Sequence, residues 1–343
     1  MFQIGMVGTG YWGPNMANSL ERTGKGRLKW LCDARPENMA ALAKRYPHAG
    51  TTTSAAEVFA DPSVDAVFIA TPTTSHYVLV RQALEAGKHV LVEKPITIFA
   101  DEALALSRLA AEKKLILMVG HVFEYNATIR AVHDLIHSGE LGEVYYMHFE
   151  RTNLGPVRTD VNAMWDLATH DVSIMCDFMK AQPVEVTARG AAYLNKGVED
   201  VVFGTFTFDG GVNAHVHASW LNPRKVRNIT VVGSKKMVVW DDLDMRQPIR
   251  LFDKRVGLPP LESLTGSFLE HKTMVFDSGV TVPVVQTNEP LLAEIDHFLD
   301  CLASGATPRS DGFSGARVVH VIEAACRSMA EGSRAVPITP LGR

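Results

Sequence analysis

Apolar residues in the first third of the chain fall into short unbroken runs, separated by stretches with a helical period. The runs at 3–7, 28–32, 66–71, 89–93 and 115–119 predict strands, and 14–22, 36–46, 75–86 and 101–113 predict helices. Strands without polar alternation are covered on both faces, so this βα alternation predicts a doubly wound parallel sheet. Pro14 stands just inside a helix start, where its missing N–H removes nothing. Gly87 follows a helix end as a C-terminal cap would.

The pattern changes after Gly120. A helix at 127–136 leads into longer strands at 143–151, 184–194, 201–208 and 212–220. Residues 206–212 read as a hairpin whose turn, 209–211, supplies positive φ. Successive hairpins predict a mostly antiparallel sheet with one open face. Residues 160–179, 291–303 and 313–329 read as helices, and there is no internal repeat or low-complexity linker. The chain therefore divides by pattern into an α/β domain at 1–121 and an α+β domain at 122–343.

Composition narrows the picture. A chain of 343 residues is long for one core and suits two. With 46% hydrophobic and 21% charged residues it is a folded protein rather than a disordered one. A net charge of −4 gives no general field for nucleic acid or an anionic membrane. Cys32, Cys176, Cys301 and Cys326 are scattered and form no C-x-x-C, so neither a zinc site nor a disulfide framework is expected. Met1 leads straight into a strand, and the longest apolar runs fall short of a membrane span. Cytoplasmic residence is the default expectation.

Gly8-Thr-Gly10-Tyr11-Trp12-Gly13 fits G-x-G-x-x-G between the first strand and the first helix, and a second strand ends at Asp33. Gly8 permits the tight turn, Gly10 lets the backbone approach a pyrophosphate, and Gly13 lets helix and strand pack closely. The helix N-terminus offers free N–H groups to phosphate. Asp33 can accept from the ribose hydroxyls and would repel a 2′-phosphate, which favours NAD and leaves NADP open. Arg35 can pair with a 2′-phosphate, lie over adenine, or be a solvated loop cation. This is a Rossmann dinucleotide domain by its residues.

Two further segments carry chemistry. The buried run 89–93 delivers Lys94 to the carboxyl edge of the sheet, where ligands of open α/β sheets bind. Pro95 holds Lys94 extended. Downstream, Asp166 and His170 stand four apart, so a helix puts them on one face and lets the carboxylate fix the imidazole tautomer. The pairs His133/His137 and His215/His217 lack third and fourth ligands, so no metal is expected.

The order of GTGYWG, Asp33, Ala70-Thr71-Pro72 with His76, Glu93-Lys94-Pro95, Gly120-His121 and Asp166-x-x-x-His170 resembles the Gfo/Idh/MocA oxidoreductases over nearly the whole chain, including Asp311-Gly-Phe-Ser-Gly-Ala-Arg. The resemblance implies that Lys94 and His170 line the meeting place of sugar and nicotinamide, with Asp166 in support. It further implies a Thr71–Pro72 turn against the cofactor, with His76 and Glu93 beside it, and a cis Lys94–Pro95 bond. The implied reaction is oxidation of an alcohol or its reverse. His170 acts as general base, and Lys94 steadies the developing oxyanion.

The stretch from Arg151 to Leu167 is similar to the branch acting on nucleotide-linked sugars, among them UDP-N-acetylglucosaminuronate 3-dehydrogenases. Diphosphate and uronate would suit Arg158, and Arg227 or Lys225. Asn162, Trp165 and Tyr125 are further candidates for the substrate side. A free sugar or polyol dehydrogenase, and an NAD-binding regulator without turnover, are the rival readings. The family implies a homodimer or homotetramer, with a small-molecule sugar as the partner.

Overall fold

The computed structural model describes residues 1–257 and 274–342. The first sheet is built from β1 (Phe2–Val7), β2 (Gly26–Cys32), β3 (Gly50–Thr52), β4 (Ala66–Ile69), β5 (His89–Glu93) and β6 (Leu117–Gly120). All pair in parallel, in the order β3-β2-β1-β4-β5-β6. The strand order reverses between β1 and β4, which opens a crevice at their carboxyl ends. Helices α1 (Gly13–Thr23), α2 (Pro36–Arg45), α3 (Ala55–Ala60), α4 (His76–Glu85) and α5 (Ala100–Glu112) cover the faces. The short β3 and α3 were not foreseen, because three and six residues carry too little periodicity to read.

Helix α6 (Ala127–His137) leads to β7 (Val144–Leu154) and then to a π turn at Met164–Ala168 that runs into α7 (Thr169–Met179). The helix expected from residue 160 therefore starts later and opens on a π turn, a form common at functional sites. Strands β8 (Glu185–Ala191), β9 (Val201–Thr207), β10 (Asn213–Ser219), β11 (Leu221–Gly233), β12 (Met237–Asp241), β13 (Ile249–Gly257), β14 (Met274–Thr281) and β15 (Val336–Pro337) complete a nine-stranded sheet. It is antiparallel except where β10 runs parallel to β7. The β9–β10 hairpin turns through positive φ at Gly210 and Gly211; Asp209 does not share it.

Alternation along β7 and β10 puts Met147, Phe149, Val216 and Ala218 in the core. Tyr146, His148, His215 and His217 lie on the other, open face. Two late helices return to the first sheet. Ile295, Phe298 and Leu299 of α8 (Pro290–Ser304) share a core with Met6, Phe68 and Leu91. Ala316 and Val319 of α9 (Gly312–Ala330) pack with Val92 and Val119. The C-terminal segment thus helps to build the walls behind the crevice.

Candidate active site

The first βα turn has the shape a dinucleotide requires. Gly8 takes a φ of 92°, and a side chain there would meet the Ala70 backbone at 2.6 Å. At Gly13 a Cβ would lie 2.3 Å from the Gly8 carbonyl oxygen. At Gly10 nothing lies within 4 Å, so its backbone borders open space. Helix α1 begins without a side-chain cap; Pro14 has no N–H and the Asn15 N–H donates to the Trp12 carbonyl oxygen at 3.0 Å, which leaves the Gly13 N–H to an anion. Tyr11 is exposed and stacks on Trp12. These features fit a dinucleotide.

Asp33 ends β2 beside this turn. One carboxylate oxygen accepts from the Thr9 N–H at 2.8 Å and the Thr9 hydroxyl at 3.2 Å. The other accepts from the Arg35 N–H and the Asn38 amide, both at 3.0 Å. Burial works against the charge, but these bonds outweigh it and hold Asp33 below the ordinary carboxylate value. The Arg35 side chain is exposed.

Thr71 and Pro72 follow β4 at the same edge, where the Thr71 and Ser75 hydroxyls meet at 2.7 Å. His76 is buried, and both its ring nitrogens lie 2.9 Å from backbone carbonyl oxygens, of Thr71 and of Pro95. Its place is as a brace between the two crevice turns, with its polar atoms turned inward.

Lys94 leaves β5 through a cis bond to Pro95. Its Nζ donates to the Asp166 carbonyl oxygen at 3.1 Å, which draws the π turn onto the sheet edge. Desolvation pulls Lys94 below the ordinary lysine value, with Asp166 and Glu93 opposing. Burial raises Glu93 to about 7, and its Oε1 has no partner among the described residues. Burial holds His170 well below the ordinary imidazole value, and Lys94 and Arg151 add to the effect. Its Nδ1 is buried and unpartnered among the described residues, while the residue keeps some open surface.

The expected Asp166–His170 bond does not form. Asp166 instead accepts from the Trp220 indole N–H at 3.1 Å and from Arg158 at 3.3 Å. A charged guanidinium and an indole fixed in the core are stronger claimants than a neutral imidazole. Arg158 is also held by Asp160, with Nε at 2.9 Å and Nη2 at 2.5 Å. Asn162 serves the backbone: its Oδ1 accepts from the Trp165 N–H and its amide donates to Glu199. Trp165 packs between the cores of the two sheets.

Tyr125 lies away from this group. Its hydroxyl reaches Ser310 at 2.8 Å inside the core beneath α8. Trp220, Phe123, Arg151 and Asp171 stand close to the centre and were not singled out from the sequence. One signal was present: β7 alternates Met147, Phe149, Arg151 toward the core, and a charge on an inward position demands a partner.

A dinucleotide crevice facing a lysine and a histidine defines an oxidoreductase with a Rossmann cofactor domain. Residues 2–121 match the family model described as "Oxidoreductase family, NAD-binding Rossmann fold", and 129–239 match the GFO/IDH/MocA C-terminal domain. The chain belongs to the Gfo/Idh/MocA family. It is similar to UDP-N-acetylglucosamine 3-dehydrogenase of Acidithiobacillus ferrooxidans, with 28% identity over 75% of this chain and 76% of that one. A solved structure of that enzyme matches at a TM-score of 0.80 and 25% identity, covering 95% of this chain and 98% of the other. Inositol 2-dehydrogenase of Rhizobium meliloti is 26% identical over 96% of this chain and 97% of its own. Among the described residues no helix is long and apolar enough to cross a membrane.

Proposed function

We propose that the protein is an NAD-dependent dehydrogenase that oxidises a secondary hydroxyl of a sugar, with a nucleotide-linked sugar as its substrate. The observation that carries the reading is the Lys94 bond to the π turn, which joins the sheet edge to the segment bearing Asp166 and His170. On this reading residues 1–121 hold the dinucleotide and 122–343 the substrate. The bound dinucleotide supplies the acceptor for the hydride that leaves the carbinol carbon. His170, kept neutral, takes the hydroxyl proton on Nε2. Lys94 uses one of its three N–H donors on Asp166 and turns the others to the substrate oxygen. Asp166 keeps the π turn in place through Trp220 and Arg158.

The nucleotide-linked reading is supported by likeness to the UDP-sugar enzyme and by the cations that open β11. Arg224 and Lys225 are exposed there and have no acidic partner among the described residues. A free polyol is the second reading. It is favoured by the arginines around Asp166 and His170, which are already paired: Arg151 with Asp171, Arg158 with Asp160 and Arg227 with Asp242. The open face of the nine-stranded sheet, with Tyr146, Phe203 and the stacked His148 and His215, suits a second copy in a homodimer or homotetramer.

Purified protein offered NAD with UDP-sugars, free sugars and inositol tests this by formation of reduced nicotinamide. His170→Ala should lower turnover roughly 10²–10⁴-fold and leave NAD affinity intact. Full turnover in that variant, or no reduction with any sugar, rejects the assignment.

A further inference from the structure

With Asp166 engaged elsewhere, no carboxylate among the described residues is bonded to the His170 ring. A base whose buried Nδ1 has no hydrogen-bond partner among the described residues must be held by packing. The contact that does so is aromatic. Phe123 meets His170 edge-on, with ring centres 4.9 Å apart and planes at 66°. Phe123 is held in turn. The Arg151 guanidinium lies over its face, 4.5 Å from the centroid, and Trp240 meets it at right angles. Arg151 is clamped by Asp171, with Nε at 3.0 and 3.2 Å from the two oxygens and Nη2 at 2.7 Å from one. Asp171 directly follows His170 on α7. The contacts therefore close a ring: His170, Asp171, Arg151, Phe123, and back to His170.

We infer that Arg151, fixed by Asp171, is a positioning residue that acts through Phe123 to set the orientation of the His170 imidazole. The inference rests on the reading of His170 as the general base. A buried ion pair is a weak source of stability, because desolvating both partners offsets most of their attraction. This pair is 5% and 2% exposed at its side chains, so its geometry is fully constrained. It gives Phe123 a rigid, charged backing that an aliphatic residue would not supply.

The same arrangement acts on charge. The cations facing His170 come from several elements: Lys94 after β5, Arg151 on β7, and Arg227 directly opposite Arg151 on β11. His121, buried after β6, lies with them, and burial drives it down to about 3, so it adds little charge near neutrality. Asp171 and Asp166 are the nearby anions. Burial is the larger influence on His170, and Arg151 reinforces it. The ring thus stays in its base form.

The test uses two variants of the full chain. Arg151→Met combined with Asp171→Leu removes both charges together and leaves neither orphaned. Phe123→Leu removes only the aromatic bridge. Both should bind NAD as the parent does and lose roughly tenfold to a hundredfold in kcat, the range for a slightly misplaced group. In the double variant the NMR contacts between the His170 and Phe123 rings, which stand 4.9 Å apart in the parent, should weaken as Phe123 loses its backing. Phe123→Tyr should restore most of the rate that Phe123→Leu loses. The NMR measurement needs no substrate, so it reports on the ring even if the sugar assignment fails. Unchanged contacts between the two rings in a folded double variant overturn the inference. So does a parental kcat in Phe123→Leu, which decides alone if the double variant does not fold.

Discussion

The two walls of the crevice are made of different materials. On the dinucleotide side the chemistry is backbone: a turn whose glycines allow close approach, and an uncapped helix end. On the side proposed for the hydroxyl it is side chain: Lys94, His170 and the charged and aromatic groups around them, drawn from six segments of the chain. A backbone site depends on the space its residues leave empty. A side-chain site depends on long-range partners and on protonation. Substitutions should therefore hurt the first wall through shape, and pH should act mainly on the second.

The largest effect should come from adding a methyl group to the first wall. Gly13→Ala would drive a Cβ into the Gly8 carbonyl oxygen at 2.3 Å, where only backbone movement gives relief. Overpacking of this kind costs about 1–3 kcal/mol, and it should lower the melting temperature and abolish NAD binding together. Gly10→Ala should separate the two. Its Cβ would enter empty space, so the melting temperature should hold while NAD affinity drops at least about tenfold as the pyrophosphate is pushed away. Calorimetric titration with NAD alongside thermal unfolding checks both. If Gly10→Ala binds NAD normally, this wall is not made by backbone approach.

That contrast also explains what could be read from the chain. The glycine turn spans six neighbouring residues whose spacing alone predicts a tight strand-to-helix turn, so the placement of Gly8, Gly10, Gly13 and Asp33 was legible together. Lys94 was legible because a buried strand must end somewhere, and in a parallel sheet it ends at the ligand edge. The partners of Asp166 were not. Trp220 lies 54 residues away on the far side of a hairpin, and nothing local marks its indole N–H as the one that reaches the carboxylate. Helical spacing suggested His170 instead, because spacing reports proximity and not which donor binds more strongly. Tyr125 was placed near the pocket by its position after Gly120-His121, and Asn162 by the resemblance of the stretch from Arg151 to Leu167. The structure gives their polar atoms to Ser310, Glu199 and the local backbone.

A smaller effect should appear with pH. Glu124 follows Phe123 and is buried, with its carboxyl bonded to the Ser173 hydroxyl. Burial pushes it up to about 8, against an ordinary value of 4.5. A carboxyl raised on folding favours the folded state in its protonated form. Its contribution is complete below the ordinary value and is lost as pH rises through about 8. Glu93, raised to about 7, adds to the same slope. Asp33, held below the ordinary carboxylate value, stays ionised throughout this window. Thermal stability should fall from pH 6 to pH 9, and Glu124→Gln should flatten part of that fall while leaving NAD affinity unchanged. A stability curve equally steep in Glu124→Gln would remove this wall's special sensitivity to pH.

The smallest effect tests whether the first wall is as purely backbone as it looks. Asp33 is the charged side chain bonded into its turn, and protein donors occupy it fully: two from Thr9, one from the Arg35 backbone and one from Asn38. A ribose hydroxyl must therefore share those oxygens or displace the Thr9 hydroxyl, the longest of the four contacts. Asp33→Asn keeps the shape but turns an amide N–H₂ toward an existing donor, at a cost of about 1–3 kcal/mol for the group left unpaired. It also removes the charge that repels a 2′-phosphate. NAD affinity should weaken severalfold, NADP affinity should hold or rise, and the ratio between them should narrow. Parallel titrations with the two dinucleotides measure this directly. If both weaken equally, Asp33 serves only to brace the turn, and the preference for NAD is set by backbone shape like the rest of its wall.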